Sequence, residues 1–204
     1  MTDSRNAHAS RLRAGATITR QNLPTISGQR IGIPDPERVV HLQFRRFAGC
    51  PVCNLHLQSV VRRHDEIVAA GIREVVVFHS TAEALREYEG DLPFAVVPDP
   101  DKRLYVRFGV ESSPWALLHP RVWPSIVRAV AHSLRAILRG KRPIPPVNPE
   151  GGRYGLPADF LIAPDGRVLA SKYGEHADDQ WSVDELLDHA RSAVRHRSGS
   201  EDAA

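Results

Sequence analysis

Residues Phe44–Val61 read "FRRFAGCPVCNLHLQSVV" and contain both cysteines of the chain, Cys50 and Cys53. Ahead of them "RVVHLQFRRF" (Arg38–Phe47) is rich in β-branched and aromatic residues, as a strand requires. Behind them Leu57, Val60, Val61, His64, Ile67 and Val68 recur at helical spacing until Gly71. The stretch therefore predicts a strand, a cysteine turn and a helix.

Working outward, "REVVVFHS" (Arg73–Ser80) is a continuous β-branched run, the pattern of a central strand covered on both faces. Ser80 and Glu83 have capping-box spacing, which predicts a short helix ending at Gly90. "FAVVPDP" reads as a further strand, and "DKRLYVRFGV" as a short helical or turning segment. "LPADFLIAPDGRVLASKYG" (Leu156–Gly174) predicts two strands joined at Pro164-Asp165-Gly166, and a last helix starts at Ser182, paired with Glu185. Upstream, "ATITRQNLPTISGQRIGI" reads as short extended pieces. This alternation is that of an open α/β sheet.

Residues at about 115–150 interrupt the alternation. "RVWPSIVRAVAHSLRAILRG" places Val122, Ile126, Val130, Leu134 and Ile137 or Leu138 on one face, with Arg128, Arg135 and Arg139 elsewhere and Gly140 closing it. This basic amphipathic helix has two readings, a covering helix or a homodimer contact. Trp115 and Trp123 lie near its start and Pro124 breaks it, so a membrane surface is not its expected partner. A Pro/Gly-rich loop, "KRPIPPVNPEGG", follows.

A chain of 204 residues with 42% hydrophobic and 25% charged residues suits one domain, at about 15–195, with polar tails at 1–14 and 196–204 expected to lack order. The formal charge of +3 comes from cations spread along the chain, so nucleic acid is not an expected partner. No apolar run has signal-peptide or membrane-spanning character, which gives a cytoplasmic expectation. In a reducing compartment a cysteine pair is a metal or redox site before it is a structural disulfide.

At a helix start, unpaired N–H groups and the helix dipole favour a thiolate over a thiol, lowering a cysteine from about 8.5 to ~3.5–7.5. This reading makes Cys50 the attacking thiolate and Cys53 its resolving partner. Arg45 and Arg46 alternate on the strand, so one of them points at the site. Two other readings compete. The cysteines can be buried small hydrophobes. Cys50, Cys53 and His56 also form C-x2-C-x2-H, but a structural zinc wants four ligands and His64 and His79 stand isolated, so neither metal nor cofactor is expected.

"FRRFAGCPVC", "VVVFHST" and "GLPADFLIAPDGRVL" together resemble a peroxiredoxin-like member of the alkyl hydroperoxide reductase and thiol-specific antioxidant group. The resemblance spans roughly Ala14–Arg195, with 115–150 as a variable insertion. It implies a thioredoxin-like fold, a central mixed sheet flanked by helices, and antioxidant oxidoreductase activity. It also implies that Pro157 is the proline that is cis and faces the dithiol in this superfamily; the plainer reading is a strand-entry proline. Typical members place Thr or Ser three residues before the peroxide-attacking cysteine and an arginine just before the strand that begins here near Asp159. Here Phe47 lies three before Cys50, Cys50 lies three before Cys53, and Pro157 takes the arginine's place, so either cysteine fits the attacking position and Arg46 or Arg153 stands in for the arginine.

The expected function is a thiol-disulfide oxidoreductase built on Cys50-Pro-Val-Cys53, with Arg46, Phe47, Gly49, Pro51 and Pro157 shaping the site. The alternatives are a thiol peroxidase and, from another class, a redox-sensing module without turnover. Substrate would be a disulfide or a peroxide, and a thioredoxin-type protein or small thiol the reductant.

Overall fold

Strand β3 (Val39–Arg45) lies at the centre of a five-stranded sheet. The structure, a computed structural model, describes residues 11–113, 120–139, 149, 152 and 154–201. A hairpin of β1 (Gln21–Pro24) and β2 (Arg30–Ile33) precedes β3. After β3 come α1 (Pro51–Arg62), α2 (His64–Ala69), β4 (Ile72–Phe78), α3 (Ala82–Glu89), β5 (Ala95–Pro98) and α4 (Arg103–Arg107). The 3-10 turn Pro120–Val122 leads into α5 (Trp123–Leu138), and β6 (Ala158–Ile162), β7 (Val168–Tyr173) and α6 (Val183–Glu201) complete the order.

The sheet runs β5-β4-β3-β6-β7, with β3, β4 and β5 parallel and β6 and β7 antiparallel to their neighbours. This is the expected α/β arrangement with a mixed sheet. One face of the sheet is apolar: Val40, Leu42 and Phe44 meet Phe108, Phe160 and the isoleucines of the β1–β2 hairpin. On the other face α1 and α6 bury Leu57, Val60, Leu186 and Leu187, each such side chain contributing about 1.5–3 kcal/mol.

The strands, the Pro164–Gly166 turn and the Ser182/Glu185 capping box form as the pattern predicts: Glu185 Oε2 accepts Ser182 N–H at 2.7 Å, and Glu185 N–H donates to Ser182 Oγ at 3.3 Å. Four local expectations are corrected. The helix after the cysteines breaks at Arg63, whose N–H bonds back to Val60 and Val61 and whose guanidinium grips Glu66 and Asp184. Helix α3 is capped by Thr81, not Ser80, because Ser80 Oγ accepts the N–H of Ala48 at 2.9 Å instead. Residues 11–14 are attached rather than loose, since Leu12 N–H donates to the Tyr173 hydroxyl and Arg11 lies over the Tyr173 ring. Helix α6 runs on to Glu201, into the stretch expected to fray.

Helix α5 covers α1, and Ala129 joins the cluster that holds both cysteines. Its expected apolar face divides. Val122 is buried and Ile126 partly so, whereas Val130, Leu134 and Leu138 are 52%, 54% and 78% exposed. Pro124 sits in the first turn, where a missing N–H costs nothing, so it starts the helix instead of breaking it. Trp115, Gly140, Arg153 and most of the Pro/Gly-rich loop lie outside the described residues. No helix among the described residues is long and apolar enough to cross a membrane.

Candidate active site

The cysteine turn follows the C-terminal end of β3 and is pinned from α3. Gly49 has φ +74°, and a Cβ there would meet the Tyr88 ring at 2.6 Å, so glycine is required both by the backbone and by the space. Gly49 N–H donates to Glu89 Oε1 at 3.2 Å, and Ala48 N–H to Ser80 as above. Pro51 then opens α1, where its fixed φ suits the helix and its absent N–H is no loss. Cys50 is the N-cap: its sulfur accepts the N–H of Cys53 at 3.3 Å.

The two sulfurs are 2.7 Å apart and unbridged, with Cys50 wholly buried and Cys53 2% exposed. Arg46, itself buried, brings Nη2 to 2.9 Å from Cys50 Sγ and hydrogen-bonds Cys53 as well, with its guanidinium 5.6 Å from the Phe47 ring centre. Arg45 points to the other side of β3, so one arginine of the pair serves the site as strand alternation requires.

A dry pocket does not hold two thiolates 2.7 Å apart, so the pair carries one charge and one proton. Burial pushes Cys50 up, and its hydrogen bond with Cys53 adds to this, leaving it well above the usual range despite Arg46. Burial pushes Cys53 up too, but the Cys50 hydrogen bond, the Arg46 charge, and bonds from the Arg46 N–H and guanidinium outweigh it, bringing Cys53 down to about 6. The electrostatics thus favour the thiolate on Cys53, although the helix-start argument from sequence favoured Cys50. The difference arises because at Cys50 burial and the hydrogen bond with Cys53 outweigh the lowering by the Cys53 N–H and the Arg46 charge, whereas Arg46 reaches Cys53 with backbone and side chain together.

The Pro157 expectation is corrected. The Leu156–Pro157 bond is trans, the cis bond among the described residues being Ile33–Pro34. The Pro157 ring lies against Gly174, and its carbonyl accepts the Gly174 N–H at 2.9 Å, so it is a strand-entry proline. The neighbour that closes on the site is Gly155: a Cβ there would lie 3.1 Å from His79 Nε2 and 3.6 Å from Arg46 Cγ. Tyr105, packed edge-on to His79, donates its hydroxyl to the carbonyls of Arg45 and Val77. The sequence reading took His79 as an isolated histidine and Ser80 as a helix cap, not as site residues, yet their place after a central parallel strand was the available signal. Glu89 and Tyr88 carried no such signal.

His56 does not join the cysteines as a ligand. Its Nε2 faces Arg45 Nη2 at 3.2 Å, in a buried polar layer between α1 and the sheet. There His41 Nδ1 meets Glu74 at 2.9 Å, His41 Nε2 lies 3.3 Å from Asp159, Arg45 pairs with Asp159 at 2.7 Å, and Gln43 bridges Glu74 and Arg45. Burial lowers His41, but Glu74 and Asp159 lift it to about 9; burial and then the Arg45 charge lower His56 to about 3. Burial raises Asp159, but Arg45 and His41 hold it well below the carboxylate range. The layer pairs two cations with two anions. Among the described residues no three His, Cys, Asp or Glu are grouped as a metal site.

A central sheet of this order, with a cysteine turn between its middle strand and a covering helix, defines a thioredoxin-like fold. Residues 59–176 match the family model of the AhpC/TSA antioxidant enzymes, and the chain belongs to that family, whose members are peroxiredoxin-like, thiol-dependent oxidoreductases. The match begins six residues beyond Cys53 and so does not include the dithiol. Similar solved structures include the peroxidoxin BcpB of Mycobacterium tuberculosis, at 15% identity and TM-score 0.62 over 89% of this chain and 97% of that one. The reduced 2-Cys peroxiredoxin of Plasmodium vivax matches at 11% identity and TM-score 0.65, over 92% and 84%. Peroxiredoxin Q of Xanthomonas campestris matches at 14% identity and TM-score 0.58, over 91% and 98%. No curated protein matches the chain.

Proposed function

We propose that the protein is a thiol peroxidase in which Cys53 attacks and Cys50 resolves. The observation that carries this reading is the buried Arg46 guanidinium, bonded to both sulfurs. It supplies the positive group whose usual strand-preceding position is here Pro157. The Cys53 thiolate attacks one peroxide oxygen, the O–O bond breaks, and the leaving oxygen takes a proton to depart as alcohol or water, leaving a sulfenic acid. The Cys50 thiol then attacks the Cys53 sulfur, releasing water and forming the Cys50–Cys53 disulfide. A dithiol reductant of thioredoxin type, or two small thiols, restores the pair and becomes oxidised in turn. The sulfurs carry the electrons without a further cofactor, and a reducing compartment such as the cytoplasm suits the cycle.

Disulfide exchange is the second reading, favoured by the position of Cys50 as N-cap with the second thiol one turn away. The burial of both sulfurs favours a small peroxide over a protein disulfide. The test compares second-order rate constants of the reduced protein with hydrogen peroxide and with insulin disulfides, and labels sulfenic acid in Cys50→Ser and Cys53→Ser variants. The peroxidase reading expects the faster reaction with peroxide and a sulfenic acid in Cys50→Ser alone. Faster insulin reduction, or a label confined to Cys53→Ser, reverses the substrate or the roles.

A further inference from the structure

We infer that the groove where the parallel strands begin, at the far end of the sheet from the dithiol, is a binding site for a small organic anion with an apolar body. The cysteine turn follows the C-terminal end of β3, whereas this groove opens beside the first residues of β4 and β5. Its walls are the turn of the β1–β2 hairpin, α2, and the Gly90–Phe94 approach to β5. Its volume is about 420 Å³, within the range of small-molecule sites.

The lining is of two kinds. Val68, Leu92 and Phe94 offer apolar surface over the buried Ile72 and Val96, and the Phe94 ring is held against His64 with centroids 5.6 Å apart. Arg38 and Arg73 supply charge. Both guanidiniums share Asp35, at 3.4 and 2.6 Å, and Asp35 also accepts the N–H groups of Glu37 and Arg38, so its oxygens are occupied. Glu74, the carboxylate in the lining, is engaged by His41 and Gln43 beneath the groove. Two arginines against the single carboxylate of Asp35 leave one positive charge at the mouth. Arg38, the more weakly held and about half exposed, is the cation available to a ligand carboxylate, while the aliphatic and phenyl surfaces receive its body.

The inference is independent of what the dithiol does, and its test is run on the full chain and on a Cys50→Ser/Cys53→Ser double variant. The probe is 4-phenylbutyrate, with 4-phenylbutanol as its uncharged counterpart, followed by calorimetry and by amide shifts in NMR spectra. Expected are saturable binding of the acid in both proteins, shifts centred on Ile72, Arg73 and Phe94, and a loss of about tenfold or more in affinity in Arg38→Gln. Equal binding of the alcohol, unchanged affinity in Arg38→Gln, shifts centred on the cysteine turn, or no saturable binding at millimolar probe would each overturn it.

Discussion

The guanidinium of Arg46 stands 2.9 Å from the sulfur of Cys50 and also donates to Cys53, so one buried cation serves two sulfurs. Replacing it by Met keeps the length and removes the charge. The Cys53 thiol should then titrate above its present value of about 6, and each unit of rise above neutral pH removes about tenfold of thiolate. Alkylation at pH 7 should slow by about tenfold or more, with the fold retained by circular dichroism. An unchanged alkylation profile would show that the helix start, not Arg46, lowers the thiol.

The one-proton character of the reduced pair has an electrochemical signature. Oxidation to the disulfide releases two electrons and every proton the thiols still hold, and each proton contributes about 30 mV per pH unit to a two-electron couple. Cys53, lowered to about 6, has lost its proton above that pH, while Cys50, raised by burial, retains its own. The midpoint potential should therefore fall by about 60 mV per unit below pH 6 and by about 30 mV per unit above it. A two-proton slope continuing through pH 8 would place both thiols in their neutral form and remove the thiolate from the resting site.

Gly49→Ala tests the turn. A left-handed backbone at +74° costs a non-glycine residue about 1–2 kcal/mol, and the new methyl also meets the Tyr88 ring. Urea denaturation should show a loss above the backbone cost alone. Adding Tyr88→Ala should recover the steric part, measured against Tyr88→Ala by itself, and leave the backbone part. Full additivity of the two changes would mean that the ring gives way at no cost.

Asp159→Asn tests the polar layer under α1. The change leaves the buried Arg45 guanidinium without its carboxylate and removes one of the two anions that hold His41 charged. Breaking a buried pair this way costs about 3–5 kcal/mol. The His41 titration, followed by NMR, should move down from about 9. A variant as stable as the parent, with His41 unmoved, would show that Asp159 is not the counter-charge.

The positions of the strands and the cysteine turn were legible because each depends on local chemistry: β-branched runs, a glycine before the turn, a proline opening the helix. The polar layer was half legible. In β3 the residues His41, Gln43 and Arg45 alternate with Val40, Leu42 and Phe44, a period that does not say whether the polar side meets water or protein. The answer lay in the neighbouring strands, where a lone Glu74 in a β-branched run registers with His41, and Asp159 registers with Gln43. Ser80 misled because a hydroxyl beside a helix start satisfies whichever N–H folding brings to it, here Ala48 from another segment. Pro157 misled because a proline is tolerated at the first position of a strand whichever way its peptide bond lies.

The separation of 2.7 Å between the sulfurs also decides the fate of an oxidised Cys53. A sulfenic acid formed there faces two rivals, a second peroxide arriving from solution and the Cys50 thiol already in contact. The first is bimolecular; the second is intramolecular, with an effective concentration that for well-placed groups reaches about 10⁵ M or more. Peroxide inside a cell cannot compete with a neighbour at that concentration. If the proposed peroxidase cycle holds, the dithiol should resist irreversible overoxidation to the sulfinic acid and keep its activity through peroxide exposures that would exhaust a cysteine without so close a partner.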